Sequence, residues 1–255
     1  MAALLAGDGV SALDVLMLIA FAGSIPMVAL GFWNAAIGSV LLARHRDPAR
    51  AVMPLRRDGR PAHGERVALV MPVYNEDPDQ VFRHLRATAQ DLDRTDLAGL
   101  FDVVLLSDTT DPAIRAAEDR HMAAWRASDR EPARLRLHRR GSREGFKAGN
   151  IRAFVDAPES HVYAYMVVLD ADSVMSGRAV DRLVGTLAAN PGVGIVQALA
   201  VGLPAESAFA RIFQFGMRHG MLPHTLGAAW WQGDAGPYWG HNAALRMDAF
   251  RAACP

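Results

Sequence analysis

Residues 165–175 read YMVVLDADSVM, and this stretch decides the fold. An unbroken apolar run of this length, closed by acids, is what a strand covered on both faces looks like. Side chains alternate along a strand, so Asp170 and Asp172 can converge, one from the strand end and one from the following turn. Two carboxylates so close repel one another unless a hard cation neutralises them. A divalent ion there would bridge the diphosphate of a nucleotide sugar and act as a Lewis acid on the leaving group. An arbitrary D-x-D is more often a turn with a helix N-cap. Here the strand before it, and acids at other strand ends, favour the cation.

Upstream, VALVM (67–71), FDVVLL (101–106) and RLRLH (134–138) read as further strands, and VGIVQA (193–198) follows downstream. Helical spacing separates them over Asp79–Leu92, Pro112–Trp125, Gly149–Val155 (continuing a helix begun near Lys147) and Ala179–Ala189. Strands alternating with helices predict an α/β fold, a mostly parallel sheet with helices on both faces. In such sheets ligands bind at the carboxyl ends of the strands.

Those ends are polar. The first strand runs into Tyr74, Asn75 and Glu76, and the second into Ser107, Asp108, Thr109 and Thr110. Asp108 can accept hydrogen bonds from a uracil ring or a ribose; its alternative is a helix N-cap, for which Asp111 is an equal candidate. Asn75 and Glu76 read equally well as turn residues. Lys147, the only lysine in the chain, would bring compact positive charge to phosphate oxygens; an ordinary surface lysine is the other reading.

MPVYNED (71–77), LLSDTTDP (105–112), FKAGN (146–150), YMVVLDADSVM (165–175), NPGVGIVQ (190–197) and YWGHNAALR (238–246) occur in this order. Together they resemble the GT-A (Rossmann-like) domain of family-2 glycosyltransferases, and more narrowly the glucans biosynthesis glucosyltransferase H family, over roughly residues 15–255. The resemblance implies UDP-glucose as donor, a growing β-glucan as acceptor, inversion at the anomeric carbon, and Mg²⁺ or Mn²⁺ as cofactor. It implies that Asp108, with Tyr74, Asn75 and Glu76, holds the uridine and that Lys147 meets the phosphates. Asp170 and Asp172 would face the diphosphate, with Asp172 the direct metal ligand. Trp239, Gly240, His241 and Asn242 would line the acceptor end, and Trp230, Trp231 and Tyr238 would stack on sugar rings or, for the two tryptophans, pack in an interface or core. Helix 205–220 resembles an amphipathic segment lying at a membrane surface, with a core-facing helix as the alternative.

Residues 15–42 carry no charge and are long enough to cross a bilayer. Arg44, Arg46, Arg50, Arg56, Arg57 and Arg60 follow, so the positive-inside rule puts everything after residue 42 in the cytoplasm; the resemblance implies that the membrane is a bacterial inner membrane. A signal peptide would want a basic N-terminus; here it carries Asp8 and Asp14. The expected organisation is a tail (1–14), a transmembrane helix (15–42), a basic juxtamembrane linker (43–65) and a GT-A domain (66–255). Lysine plus arginine and aspartate plus glutamate balance at 27 each, so no global field draws the chain to nucleic acid. The one cysteine, Cys254, allows no internal disulfide.

The family continues with an acidic motif carrying the general base, and with channel-forming helices. No residue matches that motif; His241 and Asp234 are weak substitutes. The expectation is a truncated or split chain that works with a missing C-terminal portion or a separate channel subunit. The alternatives are a non-catalytic UDP-sugar-binding module and a synthase of the cellulose or hyaluronan type.

Overall fold

The computed structural model describes residues 11–202 and 206–254. They form two compact units: residues 55–200 with 238–254, and residues 11–54 with 201–202 and 206–237. Residues 201–237, expected within the domain 66–255, thus cluster with the N-terminal helix. Most of the expected tail 1–14, and Ala205 of the expected helix 205–220, lie outside the described residues.

The first unit is an α/β sandwich. Strands β1 (Arg66–Val73), β2 (Phe101–Ser107), β3 (Leu135–His138) and β4 (Tyr163–Val168) are parallel; β5 (Ile195–Gln197) and β6 (Ala243–Arg246) complete a six-stranded sheet of order β3-β2-β1-β4-β6-β5. β6 runs antiparallel to both β4 and β5. It was not foreseen: AALR is four residues long and shows no alternation.

Helices α3 (Pro78–Leu92), α4 (Pro112–Ser128), α5 (Phe146–Asp156), α6 (Gly177–Ala189) and α9 (Met247–Ala253) pack around this sheet. They divide the core in two, one cluster on each face of the sheet. Leu69, Met71, Phe82, Leu85, Leu105 and Val184 belong to one; Val70, Leu106, Phe154, Met166 and Leu245 belong to the other. Val67 through Met71 are fully buried, which explains why β1 reads as a solid apolar run. Acids and a serine start the helices: Asp77 accepts from the Asp79 amide, Asp111 from the Ala113 and Ile114 amides, and Ser176 from the Ala179 amide.

Part of the expected linker is fixed to this unit. Asn190 at the end of α6 donates to the Arg56 carbonyl at 2.8 Å, and a Cβ on Gly59 would lie 2.4 Å from the Ala189 nitrogen.

The second unit is helical. It contains α1 (Ala12–Arg44), α2 (Pro48–Val52), α7 (Ala208–Gly216) and α8 (Leu222–Gln232). α1 is longer than the expected 15–42 because Ser11 and Asp14 form a capping box that adds a turn. It continues through Pro26, and it is long and apolar enough to cross a membrane, with a mean hydropathy of 2.2 in its most apolar window.

Residues 217–221 form a π-helical turn between α7 and α8. Pro223 has no N–H to give the carbonyl four residues back, so the helix widens there and resumes, where one helix ending at 220 was expected. α8 packs on α1 through backbone. A Cβ on Gly38 would lie 1.7 Å from the Pro223 oxygen, and one on Gly227 would lie 1.9 Å from the Asn34 oxygen. Asn34, buried in α1, accepts from Trp231 Nε1 at 2.7 Å and meets His224 Nε2 at 3.3 Å. α7 buries none of its residues, and Phe209, Ile212, Phe213 and Phe215 are exposed; a core-facing role for that helix is thereby set aside.

Candidate active site

Parallel pairing brings the carboxyl ends of β1, β2 and β4 to one rim of the sheet. A cavity of about 450 Å³ opens there, lined by Glu76, Asp77 and Gln80 after β1, by Lys147 at the start of α5, and by Asp170, Ala171 and Asp172 after β4. Both aspartates lie past the strand, which ends at Val168; the Leu169 amide still bonds to the Val70 carbonyl at 2.9 Å. The expected placement of Asp170 at the strand end shifts accordingly: the pair sits on a turn closed by the Ser173 amide on the Asp170 carbonyl, at 3.0 Å. His84 on α3 holds that turn through the Ala171 carbonyl at 3.1 Å.

Lys147 forms an ion pair with one oxygen of Asp170, and His241 Nδ1 lies 3.7 Å from the other. That separation is too long for a hydrogen bond. The His241 nitrogen is buried without any partner, as is the Asn242 side-chain oxygen. The Asn242 amide group reaches Ser173 Oγ at 3.3 Å. Gly240 and Asn242 both have positive φ, 84° and 49°, so the Gly240–Asn242 loop is held in a conformation most residues avoid. Trp239 donates its amide to Gln197 Oε1 at 3.0 Å. Tyr238 in the same segment has its phenol pushed up to about 12 by burial, reinforced by the negative charge of Asp170.

Asp108 does not line the cavity. It is buried, and its carboxylate is gripped by Arg140, Nε to Oδ1 at 2.9 Å and an Nη to Oδ2 at 2.7 Å. The alternation of β2 explains this. Ser107 and Thr109 turn the other way and donate to the buried Glu118 on α4, at 2.7 and 2.6 Å. Asp111, not Asp108, caps α4.

Asn75, at φ 58°, spends its side-chain oxygen on the Thr110 and Asp111 amides, at 3.0 and 3.1 Å, and so ties the first two strand ends together. Glu76 accepts from the Tyr74 amide. Tyr74 is exposed, with the Arg143 guanidinium 3.6 Å from its ring centroid. Trp230 and Trp231 belong to the helical unit, where Trp231 bonds Asn34.

Of the residues expected at a site, Glu76, Lys147, Asp170 and Asp172 share one cavity, and His241 joins them at Asp170. Sequence reasoning missed Arg140, Arg143 and His84. Arginine supplies every basic residue but one, so no single arginine stands out before folding.

Among the described residues, no group of three His, Cys, Asp or Glu side chains is arranged to hold a metal ion. This does not disqualify a diphosphate-bridging ion, because Mg²⁺ commonly takes one or two carboxylates, keeps waters and completes its shell with substrate phosphates. Asp170 and Asp172, both on the cavity wall, are carboxylates of the kind that partial set draws on.

A profile for Glycosyl transferase family 2 matches residues 68–253. The glucans biosynthesis glucosyltransferase H of Rhodopseudomonas palustris (strain TIE-1) is 39% identical over 245 residues, covering 95% of this chain and 33% of that protein. The protein of the same name from Cupriavidus pinatubonensis is 39% identical over 250 residues, covering 96% and 28%; that of Caulobacter vibrioides (strain NA1000) is 36% identical over 252, covering 96% and 36%. The chain spans about a third of the length of the curated relatives it matches. Among solved structures, the mannosyltransferase PcManGT from Pyrobaculum calidifontis, in complex with GDP-Man and Mn²⁺, superposes with a TM-score of 0.50 at 19% identity, covering 87% of this chain and 58% of that one. At that identity the likeness is one of fold, and it is GT-A-like.

Proposed function

This chain belongs to glycosyl transferase family 2, and on that premise we propose that its strand-end cleft binds UDP-glucose for inverting transfer of glucose to a growing β-glucan, as in osmoregulated periplasmic glucan synthesis. The observation that carries this reading is the convergence of Lys147, Asp170, Asp172 and Glu76 on one cavity at the carboxyl rim of the parallel strands β1, β2 and β4. The name of its relatives supports glucose as the sugar and a glucan as the product.

Lys147 neutralises phosphate oxygens when the donor binds and gives up Asp170 to do so. Asp170 and Asp172 would hold Mg²⁺ or Mn²⁺, with His241 beside Asp170. The ion supplies Lewis-acid stabilisation of the departing diphosphate. The Tyr74–Glu76 turn and Asp108 hold the uridine: Tyr74 is exposed, and Asp108, gripped by Arg140 and largely buried, keeps a narrow exposed edge. The acceptor sugar lies along Trp239–Asn242, whose buried Asn242 oxygen still lacks a donor. Tyr238 stays a neutral hydrogen-bond donor at physiological pH, as its raised phenol requires.

We also propose that α1 anchors the chain in the bacterial inner membrane with the α/β unit in the cytoplasm, where UDP-sugars are made. The length and hydropathy of α1 and the arginines that follow it support this.

The test is calorimetric titration of UDP-glucose into the chain in detergent micelles, with and without Mn²⁺, repeated on Asp172→Ala. The ion should strengthen binding at least tenfold in the parent and not in the variant. Affinity indifferent to both the ion and the substitution would remove the metal assignment, and no binding at all would remove the donor.

A further inference from the structure

We infer that Arg140 is a positioning residue: it clamps Asp108 to the turn that launches Lys147, and so sets where the lysine meets the donor's phosphates. The inference rests on the donor reading above but assigns a role to a residue that reading does not need.

The geometry is that of a hub. Arg140 extends from the segment after β3, and its guanidinium is almost fully covered. It donates twice to Asp108 at the end of β2, to the Glu144 carbonyl at 2.7 Å and to the Phe146 carbonyl at 3.0 Å. Four donations from one planar fork fix both the carboxylate and the turn. The bond to Asp108 raises the guanidinium's affinity for its proton, so the clamp stays charged.

The turn it holds is one a chain would not adopt unaided. Gly145 and Phe146 have φ of 71° and 49°, a conformation that is costly for phenylalanine. Phe146 gains nothing in exchange from packing, because its side chain is largely exposed. Gly149 completes the fit: a Cβ there would lie 1.9 Å from the Glu144 oxygen and 2.8 Å from an Arg140 nitrogen.

Lys147 is the next residue after this turn, and it pairs with Asp170 across the cavity. Arg140 therefore links the strand ends of β2 and β4 through the lysine without lining the cavity itself. Asp108 acquires a second role as the anchor of the clamp. A lysine at position 140 would keep the charge and lose the fork, so charge alone cannot replace it.

The test compares the parent chain with Arg140→Lys, Lys147→Ala and the double variant, all in detergent micelles, by calorimetry with UDP and Mn²⁺. Arg140→Lys should weaken UDP about tenfold in the parent and less than about threefold once Lys147 is gone, because residues acting through one another are non-additive. Equal losses in both backgrounds would overturn the inference while leaving the donor reading intact. Hydrogen exchange of the ligand-free chain gives a second readout: the amides of Phe146 and Gly149 should exchange about tenfold faster in Arg140→Lys, with Val103–Leu106 still protected. Unchanged exchange there would also overturn it. A parent chain that binds no UDP would sink the donor reading, and the exchange result would still decide whether Arg140 holds the turn.

Discussion

In the strand-end cleft the decisive contacts join charged side chains: Lys147 to Asp170, Arg140 to Asp108, with His241 waiting beside Asp170. Between α1 and α8 they join backbone to backbone, where Gly38 meets Pro223 and Gly227 meets Asn34 with no room for a methyl group. The first arrangement holds a pocket open around unspent polarity. The second closes a tight seam beside a polar cluster in which the buried Asn34 meets Trp231 and His224. A site that must exchange ligands tolerates orphaned atoms such as His241 Nδ1; a seam between apolar helices does not, because small residues are what let helix backbones approach.

The largest effect separating the two regions should come from Lys147→Ala. Removing a charge-assisted contact to phosphate should cost about 3 kcal/mol, roughly a hundredfold in UDP affinity by calorimetry, with no change in the unfolding of the chain. Lys147→Arg should recover only part of that loss, since a broad fork does not replace a compact ammonium. If alanine leaves affinity intact, the cleft is not a phosphate site.

Gly227→Ala should behave in the opposite way. Its methyl group has backbone, not a pliable side chain, in its path, so α8 must move off α1. The expected cost is about 2 kcal/mol, read as earlier unfolding in denaturant by tryptophan fluorescence, with UDP affinity unchanged. Unaltered stability would mean that the two helices do not pack through this glycine.

Trp231→Phe should be milder, about 1 kcal/mol on the same unfolding measurement, because it removes one hydrogen bond and keeps most of the ring's packing. A loss larger than that of Gly227→Ala would reverse the comparison and make the polar cluster, rather than backbone approach, the main tie.

Asp170, Asp172 and Asp108 were legible because each follows an apolar run, and Lys147 because it is the only lysine; parallel topology then brings the strand ends to one rim. The same alternation hides what Asp108 touches, since its partner Arg140 lies in an irregular segment with no period to betray it. β6 escaped for a related reason, being short and paired antiparallel between β4 and β5.

By itself, the sequence determined the alternation of strands and helices, the long apolar helix, and the strand-end acids, because these depend on local periodicity and on the burial of contiguous runs. Only the tertiary structure decided that Arg140 would hold Asp108, that His241 would face Asp170, and that residues 201–237 would join the N-terminal helix instead of the sheet. Those outcomes depend on contacts between residues far apart in the chain, where the fit of one guanidinium or the absence of one Cβ selects the partner, and neither leaves a repeat in the sequence to be read.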